Sequence, residues 1–305
     1  MAERRFDDRV AVITGAGRGL GRAYAELLAS RGAKVVVNDT GGSLQGAGDD
    51  SSPAQEVVTA IEKAGGGAIV STDSVATPEG GRAIVEAALD QWGRLDVLVH
   101  NAGIVRAAPI VDMTNEELDT VLDVHLRGGF HVAQPAFRQM CSAGYGRIVM
   151  TSSIGGVYGN HRQVNYGMAK AGLLGLNNVL AMEGAEHGVL SNVIVPGAVT
   201  RMAEGIDTSQ FPPMEPELVA PAVAWLCHED CRLNGEMIVS IAGRIAKVFF
   251  AESRGACKAG WTIEDVAEAE AEILDARDPF VWEGDAHAEH MQTSFEMAIR
   301  ARAGS

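Results

Sequence analysis

Between Ser153 and Lys170 the chain places a hydroxyl, a phenol and an amine in one stretch, with Tyr166 between the other two. If Val164 to Lys170 is helical, Tyr166 and Lys170 stand at i and i+4 and project from one face. A free phenol titrates near about 10, which makes it a poor base at neutrality. A neighbouring ammonium favours the phenolate, so Lys170 is expected to lower the pKa of Tyr166. Ser153 can hydrogen-bond an alcohol or carbonyl oxygen while Tyr166 moves its proton. These are the parts of an acid–base site for interconverting an alcohol and a ketone. Tyr and Lys four apart are also common as a plain surface pair, so the weight of this one depends on the elements that position it.

Those elements repeat. Arg9 to Ile13 is a short apolar run, followed by Thr14-Gly15-Ala16-Gly17-Arg18-Gly19-Leu20-Gly21 and a helix expected from Arg22 to Ser30. Strand, glycine loop and helix aim backbone N–H groups and a helix N-terminus at a pyrophosphate. The spacing is Thr-Gly-x-x-x-Gly-x-Gly rather than Gly-x-Gly-x-x-Gly. A second strand, Lys34 to Val37, leads to Asp39, at the distance expected for an acid that binds ribose hydroxyls. A 2′-phosphate there would meet a carboxylate, at a cost of up to about 4 kcal/mol per charge pair at effective ε near 20. Asp39 therefore favours NAD over NADP. Arg18 argues the other way, and Asp39 outweighs it because it would occupy the ribose site itself.

Thr40 to Pro53 reads as a long, mobile polar loop and Ala54 to Ala64 as a helix. The strand Ala68–Thr72 ends in Asp73-Ser74-Val75, where adenine could lie. A helix over Pro78 to Trp92 and a strand over Leu95 to Val99 lead to His100-Asn101-Ala102-Gly103. Thr114 and Glu117 form a capping box that opens a long helix through His125. A strand over Gly146 to Ser153 feeds the Tyr166 helix, Asn165 to Glu186. The strand Leu190–Val195 then ends in Pro196-Gly197-Ala198-Val199-Thr200, a turn able to hold a nicotinamide amide. Glu217 to His228 is expected as a helix and Glu236 to Ile241 as the final strand. Such alternation predicts an α/β fold, a doubly wound parallel sheet with ligands at the C-terminal strand ends. Gly15, Asp39, Asp73, Asn101, Ser153 and Pro196 all fall there.

The 305 residues are 47% hydrophobic, with 36 glycines and a formal net charge of −15. That charge argues against nucleic acid, whose affinity rests on phosphate neutralisation. No apolar run has the roughly 18 residues of a membrane span. Without a signal-like N-terminus, a peroxisomal C-terminal tripeptide or a disulfide framework among four cysteines, the expected compartment is the cytoplasm. No metal is expected. Cys227-His228-Glu229-Asp230-Cys231 closes an apolar helix and has no second ligand cluster. His287 and His290, with Asp285 and Glu289, read as the polar face of a terminal helix.

With Thr14–Gly21, Asn101-Ala102-Gly103, Ser153, Tyr166, Lys170 and Pro196-Gly197 in order, residues 6–243 resemble the short-chain dehydrogenase/reductase family, with its Rossmann-like fold. Val37–Gly42, Val124–Gly128, Tyr158–Asn160 and Trp225–Glu229 are similar to a narrower group, the (3R)-hydroxyacyl-CoA dehydrogenases of type 2 peroxisomal multifunctional enzymes, also known as 17β-hydroxysteroid dehydrogenases of type 4. The resemblance implies that Tyr166 is the base, Lys170 holds the nicotinamide ribose, and Ser153 orients the substrate. It implies NAD contacts from Gly15, Arg18, Gly19, Leu20, Asp39, Asp73, Ser74, Asn101, Ala102, Gly103, Tyr166, Lys170, Pro196, Gly197, Val199 and Thr200. His125 stands where the wider family has an Asn in its proton relay, and so joins the catalytic candidates.

The expected activity is NAD-dependent oxidation of a secondary alcohol, a (3R)-hydroxyacyl-CoA with a fatty or sterol side chain. The alternatives are a steroid ring alcohol or a non-catalytic nucleotide sensor or scaffold. No hydratase or sterol-carrier segment follows, so a stand-alone dehydrogenase is expected. It divides into a dehydrogenase domain, 1–245, and a helical extension, 246–305, that packs on the main domain or a partner subunit. Apolar residues on several faces of the helices near Thr114 and Asn165 predict a homodimer or homotetramer.

Overall fold

The strands form because β-branched, apolar runs of four to nine residues fit a sheet buried on both faces. In the computed structural model, which describes residues 3–201, 210–282 and 286–303, β1 is Val10–Thr14 and all five of its residues are buried. It is followed by α1 (Gly19–Ser30), β2 (Lys34–Asn38), α2 (Ser52–Lys63), β3 (Gly67–Ser71), α3 (Pro78–Trp92) and β4 (Val97–His100). The second half runs α4 (Asn115–Leu122), α5 (Gly128–Ala143), β5 (Gly146–Thr151), α6 (Ile154–Val157), α7 (Val164–Gly184), β6 (Val189–Gly197), α8 (Ala220–Cys227), β7 (Met237–Ile241) and β8 (Arg244–Val248).

The eight strands lie in the order β3-β2-β1-β4-β5-β6-β7-β8. Every pairing from β3 to β7 is parallel. The order reverses between β1 and β4, which opens the crevice used for ligands in such sheets. Alternate residues of each strand feed two layers. Ala11, Ile13, Val35, Val97 and Ile194 pack under α1, α2 and α8. The opposite face carries α3, α5 and α7.

Three local differences from the sequence reading have physical causes. The sheet does not end at Ile241: Ala242 and Gly243 both take positive φ (48° and 78°), the conformation of a tight hairpin turn, and β8 follows. The helix from Thr114 is interrupted by one π turn, Asp123–Arg127, with His125 at its centre. The loop after Asp39 is tied down, with Asp50 N–H donating to Thr40 O and Ala47 N–H to Ser43 Oγ.

Contacts divide the chain into two compact units, Met1–Lys247 and Val248–Ser305. The second contains α9 (Ile263–Glu268), α10 (Glu270–Ile273) and α11 (Ala286–Ala303). Between Ile263 and Ile273 the helix breaks at Ala269, which separates α9 from α10. The unit is held by an antiparallel bridge between Glu252 and Phe280, by Phe280 stacked on Trp282, and by Arg254 over the Phe280 ring. None of its described residues is fully buried, and Ile263, Leu274 and Ile299 are exposed. Asp285, grouped above with His287, Glu289 and His290, lies outside the described residues. On the first unit, Phe130 of α5 and Met168, Val179 and Met182 of α7 are exposed apolar side chains.

Candidate active site

Glycine makes the first wall of the site by leaving space. A β-carbon at Gly15 would lie 2.8 Å from Ala102 Cα, and one at Gly21 would lie 2.2 Å from Gly15 O. No side chain fits at either close approach. Arg18, the residue before α1, offers no side-chain cap, and the first turn of α1 carries no acid. The free N–H groups of that helix end therefore remain available for an anion. By contrast, Thr77 caps α3 and the expected Thr114–Glu117 box caps α4.

Gly15, Arg18, Gly19 and Leu20 line a cleft together with Asp39, Asp73 and Ser74. Its far side is Asn101, Ala102, Gly103 and Thr200. The Asp39 carboxylate accepts from Gly17 N–H (2.9 Å) and Gly41 N–H (2.7 Å), which fixes it at the mouth with lone pairs to spare. Thr200 reaches Gly19 from the end of β6, since a β-carbon at Gly19 would come within 3.3 Å of Thr200 Cγ2. Five expected cofactor residues do not line this cleft. Tyr166 and Lys170 belong to the cluster described below. Pro196 and Gly197 lie in the β6 ladder opposite Ser240 and Ile241, and Val199 bonds its N–H to Met214 O. The sequence reading missed Ser43, Leu44 and Gly46, which line the cleft from the loop after β2. Nothing in their residue types marks them. These residues fit a dinucleotide: a glycine cradle, an uncapped helix end and a carboxylate at ribose distance.

A polar network joins this wall to the next. Thr14 Oγ1 accepts from both Asn101 N–H and Ala102 N–H at 3.0 Å. Its own proton is then left for His100 Nδ1 at 3.2 Å, which assigns the imidazole proton to Nε2. That proton goes to His125 O at 3.0 Å. Burial, and then the charge of Lys170, hold His100 down at a pKa of about 4. The same causes in the same order push His125 well below the usual imidazole range. His125 Nε2 lies 2.8 Å from Ile104 O and 3.0 Å from Ile104 N, and Nδ1 has no partner among the described residues. Its ring meets that of Tyr166 edge-on, with centroids 5.2 Å apart. Gly103 is required beneath it, because a β-carbon there would lie 2.3 Å from His125 Cε1.

Side chains make the last wall. Ser153 follows β5 and caps α6 by accepting from Gly155 N–H. Lys170 is buried on α7 and clamped twice: Nζ donates to Thr151 O at 2.6 Å, and its carbonyl accepts from Ser152 Oγ at 2.8 Å. Burial lowers the Lys170 ammonium to a pKa of about 7. Tyr166 departs from expectation. Burial raises its phenol above the usual value, and the Ser153 hydrogen bond offsets that only partly. The lowering expected from Lys170, whose Nζ lies 5.7 Å from the Tyr166 ring centroid, does not outweigh that burial. The cluster can thus exchange one proton with an alcohol oxygen near Ser153.

Fold and cluster define a dehydrogenase, and a family model for short chain dehydrogenases matches residues 9–210. The chain belongs to the short-chain dehydrogenase family and is an oxidoreductase. Among its relatives is the peroxisomal multifunctional enzyme type 2 of Drosophila melanogaster, 51% identical over 83% of this chain and 42% of that protein. The full-length structure of that enzyme superposes with TM-score 0.80 and 41% identity over 95% of this chain and 50% of its own. A peroxisomal hydratase-dehydrogenase-epimerase of Saccharomyces cerevisiae is 43% identical over 90% of this chain and 31% of its length. The crystal structure of a short chain dehydrogenase from Mycobacterium avium has TM-score 0.79 and 39% identity, covering 90% of this chain and 97% of the other. The chain thus spans at most half the length of the two multifunctional relatives. Both are peroxisomal by name, unlike the cytoplasmic expectation for this chain. Among the described residues no helix is long and apolar enough to cross a membrane.

Proposed function

We propose that this chain oxidises the 3-hydroxyl of a (3R)-hydroxyacyl-CoA to a ketone, with NAD as acceptor and Tyr166 as base. The observation that carries the reading is the clustering of Ser153, Tyr166 and Lys170 on β5–α6 and α7, at the same C-terminal end of the parallel strands as the glycine cradle. Ser153 holds the alcohol oxygen. Tyr166 takes its proton, and Lys170 carries charge or proton for the phenol from the far side. His125 packs against the Tyr166 ring as a neutral imidazole and limits its tilt. Bound NAD supplies the electron acceptor; its nicotinamide would lie beside Tyr166, its pyrophosphate on the Gly15–Gly21 loop and its ribose against Asp39. Asp39 favours NAD. The Asp50 carboxyl is held below its usual range by hydrogen bonds from Ser52 first, with the Arg18 charge adding a smaller share.

The choice of substrate rests on the relatives, one of which is named for joined hydratase, dehydrogenase and epimerase activities. The test is turnover with NAD on a panel of (3R)- and (3S)-hydroxyacyl-CoA thioesters and free steroids. The expected result is activity on the (3R) thioesters. Activity confined to steroid ring alcohols, or none on any member, would reject the reading.

A further inference from the structure

Asn165 lies next to Tyr166 on α7, is fully buried, and has no part in the proton transfer. Three hydrogen bonds engage both of its polar atoms. Its Oδ1 accepts from the Tyr166 N–H at 2.7 Å. Its Nδ2 donates to Arg106 O at 2.9 Å and to Glu117 O at 3.1 Å. The partners settle the amide orientation, because a backbone N–H needs the oxygen and two carbonyls need the nitrogen. Only a side chain with one acceptor and two donors at that reach makes the set.

The segment on which it pulls is stitched on both sides. Ile104 lines the cofactor cleft and meets His125 Nε2 through its backbone. Val105 N–H donates to Leu44 O at 2.9 Å, and Arg106 Nε donates to Gln45 O at 3.1 Å. Leu44 is itself part of the cleft wall. Further along, Ala108 N–H donates to Arg162 O and Ala108 bridges to Gln163, just before α7. Residues 104–108 therefore run from the loop over the cofactor cleft to the start of the helix that carries the phenol.

We infer that Asn165 is a positioning residue for Tyr166: it fixes the phenol's helix to the segment bordering the cofactor cleft, and so aligns the base with the cofactor. The inference rests on Tyr166 being the base. An Asn at the start of a helix is ordinarily a local cap, but here the two donors leave the helix altogether. That difference supplies the test.

Asn165→Asp keeps the acceptor for Tyr166 N–H and sets a carboxylate oxygen against two carbonyls. Asn165→Ser keeps a short acceptor and cannot span to either carbonyl. If alignment is the role, both lower kcat by about 10- to 100-fold, the scale of a misplaced reacting group, with the Kd for NAD nearly unchanged. The acid limb of the pH–kcat profile also moves, because the phenol has lost its fixed place against Ser153, whose hydrogen bond offsets its burial. Wild-type kcat and profile in either folded variant, or a lower melting temperature alone, would overturn the inference. Should the Asp variant not fold, the Ser variant decides. Tyr166→Phe runs beside them: full turnover there rejects Tyr166 as base, whereas an inactive Tyr166→Phe with active Asn165 variants rejects only this inference.

Discussion

At Gly15 and Gly21 the cofactor cleft has no room for a β-carbon, whereas at Asn165, Tyr166 and Lys170 the acid–base cluster depends on what side chains carry. The first region works through backbone donors exposed where side chains are missing. The second works through polar atoms held in a dry setting, where an unmet donor or acceptor costs about 1–3 kcal/mol. Errors in the two should therefore look different. Adding a carbon to the cleft should spoil binding and leave the chemistry alone. Removing a polar atom from the cluster should spoil the chemistry and leave binding alone.

The largest effect expected is at the phenol. Tyr166→Phe should lower kcat by about 10²- to 10⁴-fold, the usual worth of a general base, while an NAD titration gives a Kd close to wild type. Burial pushes the phenol up and the amine down to about 7. Below pH 7 the pair then holds two protons and cannot accept a third from an alcohol. Above it, the pair has lost one and oxidation proceeds. The oxidation rate should therefore rise with pH through about 7. In Lys170→Ala the rise should move toward the higher value of the isolated phenol. A flat wild-type profile from pH 6 to 8 would show that the pair does not govern the step.

The reverse error comes next. Gly21→Ala puts a carbon 2.2 Å from Gly15 O and 2.7 Å from Asn101 Nδ2, so backbone must give way. Overpacking of this kind costs about 1–3 kcal/mol, and it falls on the loop proposed to cradle the pyrophosphate. The expected outcome is an NAD affinity lower by about fivefold to a hundredfold, with kcat at saturating NAD within about twofold. Loss of kcat at unchanged affinity would mean that the two regions are not separable.

The same contrast explains what was legible in sequence. The sheet was, because Val- and Ile-rich runs buried on both faces have one use. The cleft was half legible: Gly15, Gly19 and Gly21 announce a loop with no side chains, but Leu44 and Gly46 reach it only through the path of a loop that has no pattern. In the cluster, Ser153, Tyr166 and Lys170 stand at a readable spacing. Their protonation does not, since the raised phenol and lowered amine follow from burial that only tertiary packing sets. Asn165 was invisible for a related reason, as its partners Arg106 and Glu117 are far away in the chain and use backbone atoms. The turn at Ala242-Gly243 escaped because an Ala with positive φ is uncommon.

The smallest effect expected is at Asp39, which belongs to both kinds of region at once, being a side chain whose work is to hold backbone. Its two oxygens take the N–H groups of Gly17 and Gly41, one from the glycine loop and one from the loop after β2. Asp39→Ala removes both ties and the charge that would oppose a 2′-phosphate. Binding of NAD should weaken by about tenfold, the scale of one or two charge-assisted hydrogen bonds, each worth about 1.5–3 kcal/mol before water substitutes for them. Binding of NADP should weaken less or improve, because loss of the ties is offset by loss of repulsion. The measurement is the ratio of kcat/KM for the two cofactors in wild type and variant. A second variant, Asp39→Asn, separates the two causes: its amide can still accept one N–H but carries no charge. A ratio that changes equally in the Ala and Asn variants assigns selectivity to charge. A ratio that stays at the wild-type value in the Asn variant assigns it to the position of the loops, and Asp39 would then be a brace rather than a discriminator.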